Sequence, residues 1–93
     1  MSAAPGAVIV VKMSLHASRG RELVVTAAHD AAMLSRITAT IALHPVATFS
    51  YILEPQGEMA VVHLEVLGGT WQEERVQQKL RRLIGVLDAR YAD

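Results

Sequence analysis

The sequence predicts an α+β domain: an antiparallel sheet with two helices on one face, its elements running β-α-β-β-α-β. Three observations lead there. Residues 48–53 and 58–67 are strand-like runs flanking Glu54-Pro55-Gln56-Gly57, a tetrapeptide suited to reversing the chain. Two stretches of helical period, 31–43 and 70–84, stand on either side of that hairpin. A third strand-like run, 22–28, precedes the first helix, and a fourth, 86–91, follows the second. That order is the ferredoxin-like plan.

The 93 residues suffice for one core, so residues 7–93 are expected as a single domain behind a flexible N-terminus at 1–6. Hydrophobic residues at 52% against 19% charged argue for a folded chain. Basic and acidic groups balance at nine each, so no net field favours nucleic acid or an anionic membrane. With no cysteine, disulfides, thiolate metal sites and cysteine nucleophiles are all excluded. The start lacks a basic n-region, and the apolar run at 7–11 is too short to span a bilayer, so a soluble cytoplasmic protein is expected.

Taken in order, residues 7–16 read as an additional strand, with Val8, Ile9, Val10 and Val11 continuous and β-branched. Residues 22–28 read as a buried strand on the strength of Val24-Val25-Thr26. The alternative is one long helix over 21–43, since Leu23, Ala27, Ala31, Leu34, Ile37 and Ile41 also share a helical spacing. In that case 7–16 becomes the first strand. The first helix, over 31–43, takes Asp30 as its N-cap and ends at His44-Pro45.

The hairpin's second strand alternates. Ala60, Val62, Leu64 and Val66 point under the helices, with Leu64 expected against Leu34, Ile37, Leu80 and Ile84. Met59, Val61, His63 and Leu67 point the other way, beside Glu65, and are assigned to an interface. Thr70-Trp71-Gln72-Glu73 matches the capping box that opens a helix. Val76, Leu80, Leu83 and Ile84 face inward along that helix, Gly85 takes the C′ position, and Trp71 is expected on the core, with an interface contact as the alternative. Residues 86–91 form the last strand.

Of the four histidines, His16, His29, His44 and His63, none shows metal-ligand spacing, and no metal, cofactor or catalytic residue is assigned. His29 and His63 are expected on adjacent strands, taken as parallel, close enough to approach each other. His63 and Glu65 form a polar spot on one strand face. Lys79, Arg81 and Arg82 read as the solvated side of the second helix. Any ligand bearing a carboxylate is placed at His29, Asp30, Ala31, Ala32 and Met33, where free backbone donors at the helix start suit it.

Met33-Leu34-Ser35-Arg36-Ile37, His44-Pro45-Val46 and Leu80-Arg81-Arg82-Leu83-Ile84-Gly85-Val86 give residues 28–46 and 65–86 the look of an ACT-type regulatory domain. In style the chain is most similar to the small regulatory subunit of acetolactate synthase. The family pattern D-x-P-G-x-L-x-R-[IV], aligned on Leu34, puts His29 at the Asp, Ala31 at the Pro and Ala32 at the Gly. A Cβ at Ala32 crowds the backbone approach that a ligand makes in the family. The resemblance implies a non-catalytic, amino-acid-binding module, working as a homo-oligomer, with a dimer expected, and regulating a large catalytic subunit. The rival readings are a small dimeric enzyme of the cofactor-free monooxygenase type, with His63 as its polar group, and a purely structural oligomerisation domain. The first rival gains from the long-helix alternative.

Overall fold

A computed structural model describes residues 13–14 and 20–92. The expected flexible terminus at 1–6, and all of the expected strand 7–16 except Met13–Ser14, lie outside the described residues. The elements are β1 (Met13–Ser14), β2 (Arg21–Ala28), α1 (Met33–Ile41), β3 (Val46–Leu53), β4 (Met59–Val66), α2 (Gly69–Arg81) and β5 (Val86–Tyr91). From β2 onward this is the ferredoxin-like βαββαβ order. Residues 21–28 are strand, which removes the long-helix alternative. The strand order is β1-β3-β4-β2-β5, and every neighbouring pair is antiparallel. Two-residue β1 extends the β3 edge, through Met13 opposite Phe49 and Ser14 opposite Thr48.

The alternation in β4 sorts the molecule into two sides. Ala60, Val62, Leu64 and Val66 are wholly buried beside Leu23 and Val25 of β2 and Phe49 and Tyr51 of β3. The helices close that side with Met33, Ile37 and Ile41 from α1 and Val76 and Leu80 from α2. The hairpin turns as its chemistry requires: Gly57 N–H donates to the Glu54 carbonyl at 2.8 Å, with Gly57 at φ +76°. α1 stops at Ile41, ahead of His44-Pro45.

Several local expectations are corrected. The residue preceding α1 is Ala32 rather than Asp30, which instead forms a tight turn in which its carboxylate accepts the Ala32 N–H at 2.8 Å. α2 is capped by Gly68 at φ +92° with no side-chain bond, so Thr70 and Glu73 make no capping box. Glu73 lies on the same helical stripe as Val76 and Leu80 and is turned toward the sheet, where it meets Arg21 at 3.2 Å. Ile84 is 86% exposed, because the helix ends at Arg81 and its period no longer applies. It therefore cannot pack on Leu64. Gly85 lies past the C′ position for the same reason. Trp71 is 63% exposed rather than core-packed, with the Arg75 guanidinium 5.2 Å from its ring centre.

Candidate functional site

The side of the sheet away from the helices is the first candidate. Its residues are half-buried, apart from exposed Glu22 and Arg90, and no other described element packs over them. Cross-strand register arranges it in rows. Thr26, Val61 and Ile52 form one row, and Val24, His63 and Ser50 the next. Glu22, Glu65 and Thr48 follow. The face therefore grades from apolar near the hairpin, where Met59 opposes Ala28, to acidic at the opposite end.

Glu22 and Glu65 are directly opposed, a placement that costs energy unless each charge finds a partner. Each does. His63 Nδ1 stands 2.9 Å from Glu22 Oε2, and Gly20 N–H donates to Glu65 Oε2 at 2.8 Å. Position 20 must be glycine for this bond, because a Cβ there would collide with the Val66 carbonyl. A carboxylate only accepts, so His63 carries a proton on Nδ1. The expected His63–Glu65 spot is thus two separate contacts, with Glu22 as the acid that meets the imidazole.

The second candidate is the corner between β2 and α1, where the ligand residues were expected. His29 follows β2, its N–H donating to the Glu58 carbonyl at 2.9 Å. Its ring turns to the helix side, with Nδ1 2.6 Å from the hydroxyl of fully buried Tyr51. Burial, and then the charge of Asp30, push the Tyr51 hydroxyl above its ordinary value. His29 therefore does not approach His63, which points to the opposite side of the sheet, and the strands they belong to run antiparallel, not parallel.

Asp30 is exposed, and the Ala32 N–H first and the Arg36 guanidinium second hold its carboxyl below the usual range. Arg36 Nη2 reaches both oxygens, at 2.9 and 3.1 Å. Ala31 and Ala32 are exposed, whereas Met33 is wholly buried in the core. The Ala32 donor proposed for a ligand carboxylate is already taken by Asp30's own.

A third cluster ties the exit of α1 to α2. His44 Nδ1 is 3.0 Å from Gln72 Oε1, and Lys79 Nζ is 3.0 Å from His44 Nε2. One neutral tautomer, protonated on Nδ1, satisfies both bonds. Of the interface residues expected, Met59, Val61 and His63 lie on the open face. Leu67 is one residue beyond β4, and its N–H donates to the Pro45 carbonyl at 2.8 Å.

The sequence missed the partners: Tyr51 for His29, Glu22 for His63, Gln72 and Lys79 for His44. Register was the missing information. Glu22 shares strand parity with Val24, a signal that puts the two on one face but sets neither beside a particular residue of β4. Among the described residues no group of three or more metal-ligating side chains comes together. No helix there is long and apolar enough to cross a membrane. No family model matches the chain, and no curated protein matches it.

Proposed function

We propose that the chain is a regulatory, non-catalytic module of the ACT type that pairs with a second copy through its open sheet face. The observation behind this reading is the asymmetry of the sheet. One face is sealed by α1 and α2, while the other presents half-buried Val24, Ile52, Met59 and Val61 around His63. Covering such side chains is worth roughly 25 cal/mol per Å² of apolar surface removed from water. Central placement of Val61, between Thr26 and Ile52, puts that gain in the middle of the face. Sedimentation equilibrium tests the pairing: a dimer at tens of micromolar protein is expected, and a monomer removes the reading.

The sharper version follows the resemblance, with an amino-acid effector at the β2–α1 corner and a large catalytic subunit as partner. An effector carboxylate would there replace the Asp30 carboxylate on the Ala32 N–H, with Arg36 as the cation beside it. Calorimetric titration with branched-chain and other amino acids tests that version. Saturable heat is expected, and its absence at millimolar ligand leaves an oligomerisation domain without an effector.

A further inference from the structure

Within the open face, residues of β2, β3 and β4 line an open pocket of about 190 Å³, formed by Glu22, Thr48, Ser50 and His63 over the backbone at Phe49. We propose that this pocket binds a small organic cation, a primary ammonium compound of amino-alcohol size, through the Glu22 carboxylate and the Ser50 and Thr48 hydroxyls. It gives the open face of the proposed regulatory module a ligand class, and rests on that reading only for what binding would regulate.

The chemistry follows from the inventory of donors and acceptors. His63 commits Nδ1–H to Glu22 Oε2, and its Nε2 makes no hydrogen bond among the described residues. Among the described residues the Glu22 side chain makes no other hydrogen bond, which leaves Oε1 as a charged acceptor. The Ser50 and Thr48 hydroxyls, likewise without a side-chain partner among the described residues, rotate to accept or donate. The pocket therefore presents a carboxylate oxygen beside two hydroxyls able to accept.

Its surroundings reinforce the sign. Glu65 stands directly across from Glu22 and is met by a neutral backbone donor. On the same face, Arg90 is engaged with Asp88 at 2.7 Å. An ammonium group entering beside Glu22 gains charge-assisted hydrogen bonds, and a carboxylate in the same place meets repulsion. A volume well below the about 300–1,000 Å³ of drug-sized sites restricts the ligand to a few heavy atoms.

Three compounds of one size and different charge test this: ethanolamine, glycolate and ethylene glycol, each titrated into the full chain while NMR follows the His63 ring and the backbone amides. Ethanolamine alone is expected to give saturable shifts, centred on Glu22, Thr48, Ser50 and His63. Glu22→Gln should weaken it by at least about tenfold, the effect of losing a hydrogen bond to a charged group. Ser50→Ala, which keeps the carboxylate, should weaken it less.

Equal binding of glycolate or ethylene glycol, shifts centred elsewhere, no saturable shift, or unchanged affinity in Glu22→Gln would each overturn the assignment. Sedimentation of the same samples separates the two claims. A dimer that ignores ethanolamine overturns the pocket alone, and a monomer that binds it overturns the pairing alone.

Discussion

Leu64 and His63 are neighbours on β4 whose side chains leave the sheet in opposite directions. Leu64 is wholly buried, so Leu64→Ala should cost about 2–5 kcal/mol, the range for a large-to-small change with its cavity. Against a total stability of about 5–15 kcal/mol, that is a large fraction. His63→Ala removes an exposed pair with Glu22 and should cost no more than about 1 kcal/mol. Urea midpoints of the two variants, taken at one low protein concentration, check the division of faces. A more damaging His63→Ala would invert it.

Ionisation gives a second expectation at this scale. Burial first, and then the charge of Glu73, push the Tyr91 hydroxyl up to about 12 from an ordinary 10.0, with Arg21 opposing. The hydroxyl donates to the Glu73 carbonyl at 2.6 Å. Its contribution to stability is fully present below pH 10.0 and is lost as pH rises from there through about 12, because the unfolded chain ionises first. Tyr91→Phe should flatten that part of the alkaline limb in a plot of urea midpoint against pH. Asp30 has the opposite sign: its lowered carboxyl contributes above pH 3.8 and loses that contribution as pH falls through the folded value, and Asp30→Asn should remove this share of the acid limb.

At the scale of the element, the strands and the first helix were the readable parts. β-branched runs and strict alternation over β4 carry enough information to place one face in the core. The start of α2 was misread for a physical reason. Thr70 and Glu73 have capping-box spacing, yet Glu73 also lies three residues before Val76 and seven before Leu80, on the buried stripe. Arg21 provides a partner there, so the carboxylate turns inward rather than back to the helix end. Thr70→Ala, which deletes no cap bond, should change stability by no more than about 0.5 kcal/mol. Glu73→Ala should cost clearly more, since it removes the partner of Arg21 and a side chain that is 9% exposed as a residue. A Thr70→Ala loss matching that of a true cap, up to about 2 kcal/mol, would restore the capping box.

For the whole molecule, the sequence disclosed the architecture and which residues of β4 face away from the helices. It did not disclose who meets whom on that face. The Glu22–His63 contact depends on β2 and β4 pairing antiparallel in one register, with Val24 beside His63. A slip of one residue would send all of β2 to the other side. The same register opposes Glu22 to Glu65, and the hairpin's own register sets Ser50 across from His63, so the pocket joins Glu22 of β2 to a hairpin more than twenty residues further along the chain.

Self-association through the open face is the central claim, and the dependence of the urea midpoint on protein concentration tests it most directly. A paired molecule gains stability by mass action, whereas a monomer does not. The midpoint of the natural chain should rise as its concentration is raised from micromolar upward, and that rise should vanish in Val61→Asp, which sets a charge at the centre of the face while leaving the helix side intact. A midpoint that stays constant in the natural chain, or a rise that survives in Val61→Asp, would contradict pairing through this face.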